Sequence, residues 1–302
     1  MPAALNSYTR EREVPVSNLG IRILMWAYRH LGWRTCRCMV VIITLCAYPF
    51  LGRARRFSRE FRRQWAAHTG KRPCSTFRHL LTFAYTLADR LACRLGLLGM
   101  ERVVPRTPEP YRELCERYYR REGVFCIASH LGCDDMLRVL FEDPAQGKGG
   151  EIHVFMDTAA TKQFARMQSR YASRSDMFVH SVEELGMGMS LLMAQKLEEG
   201  AILIIAGDRI RQSGKRSEYR IPFLGREAEF PRGCFSWAAA MACPVYTFCL
   251  VEHGGNYDLL VRCLSDEGKK PALELAQSFA GTLEEWVTQY PDNWFNFYSF
   301  WP

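Results

Sequence analysis

Only four acidic residues, Glu11, Glu13, Glu60 and Asp89, stand in the first hundred positions, against 17 lysines and arginines. A segment so short of carboxylates cannot balance its own charge, and it points to an anionic partner, either nucleic acid or an anionic membrane surface. From residue 101 onward the balance reverses, with 23 basic and 28 acidic residues. Twelve cysteines are present, yet none forms a C-x-x-C pair, and Cys36 and Cys38 are the one close couple. That excludes the usual zinc spacings and fits reduced thiols in a cytosolic compartment. The start, MPAALNSYTREREVP, is too polar to read as a signal peptide, so none is expected. There is no internal repeat and no Pro-rich or Gly/Ser-rich linker. One catalytic-sized domain with an N-terminal extension is therefore expected, divided as residues 1–100 and 101–302.

Several familiar chemistries are also missing their motifs. G-x-S-x-G does not occur; Ser129 precedes a histidine without that elbow. The stretch LGMGMS lacks the third glycine of a dinucleotide loop, and no phosphate-binding P-loop is found.

What is present begins with apolar helices among arginines. In GIRILMWAYRHLGW, residues 20–33, Ile21, Leu24, Met25, Tyr28 and Leu31 recur at helical spacing. The run MVVIITLCAYPFL follows at 39–51, with Arg34 and Arg37 before it and Arg53, Arg55 and Arg56 after it. Thirteen residues of helix reach about 20 Å, short of a ~30 Å hydrocarbon core, and Pro49 shortens the clean run. A full span is not expected. Two readings stay open, a core helix with a solvated arginine face and an in-plane pair of helices whose arginines meet lipid phosphates. Phe57, Phe61 and Trp65 continue helically between Arg59, Arg62 and Arg63. No nucleic-acid motif accompanies them, so no nucleic-acid partner is expected. A loop around Gly70–Pro73 and a further helix over about 75–98 complete the extension.

Beyond residue 108 strands alternate with helices. Helices are predicted over 108–121, 183–199 (closed by Gly200) and 271–290. Strands are predicted at Val124–Ala128, Ile152–Met156, Met177–His180, Ala201–Ala206, Pro244–Glu252 and Asn256–Leu264. The last two join through Gly254–Gly255, a hairpin signal. The fold class is α/β, with a mixed, mostly parallel sheet flanked by helices.

Three stretches carry candidate chemistry. In CIASHLGCDDML an apolar strand ends at His130, with Asp134 and Asp135 shortly after Gly132. Strand ends in open α/β sheets tend to hold ligands. If a helix starts just after Gly132, Asp135 can turn back to the imidazole, fix its tautomer and leave the other nitrogen as a base. A polar loop with Asp134 as a helix cap accounts for the same residues. His130 with the two acids has metal-ligand types, but no second cluster joins it and no metal is expected. In AILIIAGDRI another apolar strand delivers Asp208 and Arg209, where an arginine can hold a phosphate or an oxyanion, or simply form a local ion pair. YRIPFLGREAEFPRG, residues 219–233, reads as a rigid apolar loop that either lines a groove for a chain or packs on itself.

Taken in order, His130–Asp135 as H-x4-D with Gly132 inside it, the GDR at Gly207–Arg209, IPFLGREAEFPRG and AAAMACPVY resemble the bacterial lipid A biosynthesis acyltransferases. These are the lauroyl and myristoyl transferases, within the H-x4-D/E glycerolipid-type acyltransferases. The likeness covers roughly residues 18–300. It implies a glycerolipid acyltransferase-like fold with an N-terminal membrane-associated extension, placed peripherally or monotopically at the cytoplasmic face of the inner membrane. It implies acyl transfer from an acyl carrier protein or acyl-CoA thioester to a hydroxyl or amine of a lipid acceptor, with no metal and no cofactor. His130 would be the base and Asp135 its support. Arg209, Asp208 and Gly132 would contact substrate. Arg166 and Arg170, in KQFARMQSRY, would fall where the family places active-site arginine. The chain differs from the family in Asp134–Asp135, where Trp-Glu is frequent. Its close, YPDNWFNFYSFWP, has no basic residue where the family tends to carry His and Arg. In this it is more similar to divergent members that modify other lipids. The alternatives that share these residues are an acyl-thioester hydrolase using water and a non-catalytic membrane-bound scaffold.

Overall fold

The computed structural model describes residues 18–73, 75–133, 140–141, 149–156, 177–210 and 217–301. Asp134, Asp135, Arg166 and Arg170 lie outside them. Nine strands are formed by the described residues: β1 (Val103–Pro105), β2 (Val124–Ala128), β3 (Ile152–Met156), β4 (Met177–Ser181), β5 (Ile202–Ala206), β6 (Glu218–Phe223), β7 (Arg226–Pro231), β8 (Val245–His253) and β9 (Asn256–Ser265). Seven make one sheet in the order β1-β9-β8-β2-β5-β3-β4. All its pairings are parallel except β8 with β9. The architecture is thus α/β with a mixed, mostly parallel sheet. All of β2 is buried, as is β5 from Ile202 to Ile205. That is why both read as unbroken apolar runs: a parallel strand covered on both faces has no solvent side to mark with polar residues.

The helices are α1 (Asn18–Ala47), α2 (Gly52–Thr69), α3 (Thr76–Arg94), α4 (Pro108–Tyr119), α5 (Met187–Glu198), α6 (Arg232–Met241) and α7 (Ala272–Gln289). Strand and helix positions follow the sequence pattern closely, with β1 and α6 unforeseen and two larger differences. Residues 219–233 are not a loop but the hairpin β6–β7, followed directly by α6. Leu224 and Gly225 carry the turn with φ of 51° and 78°, both left-handed, as a tight two-residue hairpin requires. The prolines that argued against strands sit where they do no harm. Pro222 pairs with Glu227 and Pro231 with Glu218. Counting from the turn, these are non-hydrogen-bonded pairs, so neither ring removes a ladder bond. The hairpin does not offer Phe223, Leu224 or Phe230 to a groove, because all three are fully buried. Phe223 packs against Trp294, Phe300 and Trp301.

The second difference is in α1, which runs through Arg34 and Arg37 rather than ending before them. It is broken at Gly32, whose φ of 83° and ψ of 165° are not helical. By length and composition, Gly20–Phe50 is long and apolar enough to cross a membrane, which the thirteen-residue run at 39–51 taken alone is not, because the helix continues through Arg34 and Arg37. The part after the break, residues 33–47, is about 22 Å long. Its inner face buries Cys36, Val40 and Thr44, while Ile42, Ile43 and Leu45 are exposed and Phe50, just beyond, is 87% exposed.

Buried contacts cross the boundary expected at residue 100. Asp89 on α3 accepts hydrogen bonds from the Tyr28 hydroxyl (3.2 Å) and the Tyr257 hydroxyl (2.9 Å), and pairs with Arg37 and Arg102. Arg37 also reaches Glu252 at 2.7 Å. A buried carboxylate with this many donors is well compensated, and removing one partner would leave a charge stranded. Phe61 and Trp65 of α2 belong to the same apolar cluster as Phe125 and Leu203 of the sheet.

His79 on α3 is 1% exposed. Its Nε2 lies 3.0 Å from the Trp294 carbonyl, and its Nδ1 lies 2.9 Å from the Ser58 hydroxyl. The carbonyl can only accept, so Nε2 carries the proton and Nδ1 accepts from Ser58. Burial pushes the His79 pKa down to about 4, against the pull of the Trp294 carbonyl and Asp292; Arg62 adds to the lowering. Above pH 6.5 the ring is neutral in both folded and unfolded chains. As pH falls from 6.5 toward 4, only the unfolded chain takes the proton, so stability drops by an amount on the order of 3 kcal/mol. Denaturant unfolding at pH 7 and pH 4.5 should show this loss, and it should shrink in His79→Gln, whose side chain does not titrate.

Candidate active site

The site is set by strand register. β2 and β5 are parallel neighbours with Ala128 opposite Ala206 at their carboxyl ends. Two residues further along each strand come His130 and Asp208, so the pairing itself brings them together. The His130 backbone N–H donates to Asp208 Oδ2 at 2.8 Å, and His130 Nδ1 lies 2.7 Å from Asp208 Oδ1. An ionised carboxylate accepts only, so Nδ1 is the nitrogen that donates, and in the neutral ring Nε2 is the one with the lone pair. No hydrogen-bond partner for Nε2 is found among the described residues. The His130 side chain is 28% exposed, whereas Asp208 has no exposure. Burial raises the Asp208 pKa, but the His130 charge and hydrogen bonds, helped by Arg209, outweigh it and hold the carboxyl below its ordinary range.

Nδ1 is thus engaged by Asp208, and Asp135, expected as the support, lies outside the described residues. Asp208, expected to contact substrate, is fully buried beneath the histidine. Gly132 is also buried. Its N–H donates to the Asn293 carbonyl at 2.8 Å. Its φ is 78°, and a Cβ there would collide with the backbone of Leu250. It is a glycine because β8 passes too close for any side chain.

Sequence reasoning overlooked the part played by the segment 293–298. Leu131 bridges antiparallel to Trp294, and the Phe295 N–H donates to the His130 carbonyl at 2.9 Å. Asn293 holds the segment to β8, accepting from the Glu252 N–H at 2.7 Å and donating to the Glu252 carbonyl at 3.1 Å. The segment then supplies Asn296, whose Nδ2 donates to Asp208 Oδ2 at 3.3 Å, and Tyr298, whose hydroxyl donates to the Asp208 carbonyl at 3.1 Å. Arg209 turns toward the same segment, with Nε donating to Asn296 Oδ1 (3.2 Å) and Nη2 to the Phe295 carbonyl (3.4 Å), over the Tyr298 ring. A signal was available in the sequence: two apolar strands each followed, at the same offset, by one half of a His–Asp pair. Among the described residues no group of three or more potential metal ligands is found.

The arrangement can do one kind of chemistry well. A histidine with a fixed tautomer and a buried carboxylate behind it can take a proton from a bound nucleophile through its second ring nitrogen. It depends on Gly132 allowing the loop to pass under Leu250. Gly132→Ala combines left-handed strain with a backbone collision and should destabilise the fold by roughly 2–3 kcal/mol or more. Thermal melting checks this, and an unchanged melting temperature would show that the loop can shift freely.

No family model matches the chain and no curated protein does, so the chemistry has to be read from the residues themselves.

Proposed function

We propose that the protein is an acyltransferase working at a membrane surface, with His130 as general base and Asp208 as its orienting carboxylate. The observation that carries this reading is the in-register His130–Asp208 pair, in which Nδ1 is engaged and no partner for Nε2 is found among the described residues. In the reaction, Nε2 takes the proton of an acceptor hydroxyl or amine as that atom attacks the carbonyl carbon of an acyl thioester. The C–S bond breaks, the acyl group stays on the acceptor, and the imidazolium returns the proton to the departing thiolate. Asp208 balances the imidazolium charge while it exists. The donor would be acyl carrier protein or coenzyme A carrying the chain, and the acceptor a lipid or lipid precursor. The ordered motifs support this class of donor and acceptor.

The outer face of the N-terminal helices supports the membrane setting. Ile42, Ile43, Leu45 and Phe50 lie exposed, and α2 begins two residues later with exposed Arg53, Arg56, Arg59 and Arg63. The last three, with Arg226 at the start of β7, line one cleft in which Glu60 is the lone acid among the described residues. An apolar edge flanked by exposed arginines suits the interface of an anionic bilayer, where each arginine near the surface contributes about 1 kcal/mol.

Turnover of an acyl thioester with extracted membrane lipid as acceptor tests the chemistry. His130→Ala should lower transfer by roughly 10²–10⁴-fold with the melting temperature retained. Asp208→Asn, which disturbs the tautomer, should fall in a similar range. Release of free fatty acid at the same rate with and without lipid would instead identify a hydrolase. Full activity in His130→Ala would remove the base from the mechanism.

Flotation with vesicles containing phosphatidylglycerol tests the setting. Replacing Arg56, Arg59 and Arg63 together by Gln should weaken binding by about 10²-fold, from three contributions of about 1 kcal/mol each. Binding that survives unchanged would take this arginine row off the membrane face.

A further inference from the structure

We infer that Asn296 and Arg209 are positioning residues for His130, with Asn296 acting as a spacer that keeps the Arg209 guanidinium off the Asp208 carboxylate. This rests on the reading of His130 as the base, and it concerns how its strength is set. Arg209 follows Asp208 directly in the chain. A guanidinium that close to a buried carboxylate has a ready alternative, a two-pronged ion pair with it. Such a pair would compete with His130 for both oxygens and neutralise the charge that supports the imidazolium. Instead an amide stands between them. Asn296 is 2% exposed. Its Nδ2 donates to Asp208 Oδ2 at 3.3 Å, and its Oδ1 accepts from Arg209 Nε at 3.2 Å.

A primary amide has one donating end and one accepting end, and here each faces its complement. The reversed amide would set oxygen against carboxylate and N–H against guanidinium, so this order fixes the orientation. A carboxylate at 296 would meet Arg209 but repel Asp208, and an apolar group would meet neither. Arg209 is held back from the other side too, by the Phe295 carbonyl at 3.4 Å and the Tyr298 ring at 5.3 Å. With Nε and Nη2 so engaged, Arg209 acts through Asn296 rather than as an oxyanion donor. Among the described residues the titratable or charged groups of this cluster are His130, Asp208, Arg209, Tyr298 and Cys234, which feels the Asp208 charge.

The test follows the His130 ring by ¹⁵N-edited NMR across pH in the full chain, its signal assigned by loss in His130→Gln. Asn296→Asp adds negative charge beside Asp208, so the His130 titration midpoint should rise by about 1 pH unit. Asn296→Leu removes the spacer and frees Arg209 to take the carboxylate, so the midpoint should fall. Shifts of opposite sign establish the spacer. A merely structural asparagine would lower the melting temperature in both variants and leave the midpoint in place, which would overturn the proposal. Should either variant fail to fold, Arg209→Gln gives the same reading: loss of the cation should raise the midpoint, and no change would count against it. Because ring titration needs no turnover, shifted midpoints in a chain without transferase activity would sink the acyl-transfer reading and leave the spacer standing.

Discussion

A carboxylate with no access to water is the constraint around which this end of the sheet is organised. Ionised Asp208 can be buried only if donors replace the solvent it has lost. It finds them in the His130 N–H, the His130 ring and the Asn296 amide. The donors come from two distant parts of the chain, and Asp208 itself from a third. Meeting this single demand therefore ties together the ends of two strands and a segment more than eighty residues further on. The same demand explains the polarity of the site: the carboxylate is sealed below, and the imidazole above it keeps 28% of its side chain exposed.

Much of the α/β part could be read from sequence because burial and strand pattern coincide there. The runs at 124–128, 152–156 and 202–206 are short, apolar and bounded, and each is a strand. The hairpin at 218–231 escaped because proline weighs against strands. That rule assumes a ladder bond at the proline, and in this ribbon the register places Pro222 and Pro231 where none is needed. His130 was legible as the end of a strand. Its pairing with Asp208 went unread although the equal offsets signalled it, because H-x4-D looks for the acid along the chain, while pairing in a parallel sheet supplies it from the neighbouring strand. Asn296 carried no local signal. Its role comes from an antiparallel bridge between Leu131 and Trp294, which no pattern within either segment announces.

The N-terminal helices show a second buried carboxylate at work. Asp89 gathers Tyr28, Arg37, Arg102 and Tyr257, and so joins α1, α3 and β9 through one polar centre. The composition suggested a basic appendage. What it could not show is that Arg37 and Arg62 are turned inward and pair with Glu252 and Asp292 of the α/β part. The arginines that remain outside, on α2, are presented by a helix that packs Phe61 and Trp65 into the same core as the sheet. Anything that binds the outer row is thereby oriented with respect to the sheet.

The equal offset of His130 and Asp208 from the paired alanines has a consequence for how such a site can change over time. Exchanging one apolar side chain for another inside β2 or β5 leaves the offset untouched, so the strands can drift in sequence while the pair persists. Gaining or losing a single residue between Ala128 and His130, or between Ala206 and Asp208, turns one partner to the opposite face of the sheet. Lineages carrying this arrangement should accumulate replacements freely within the two strands and show almost no length variation in the two-residue steps that follow them.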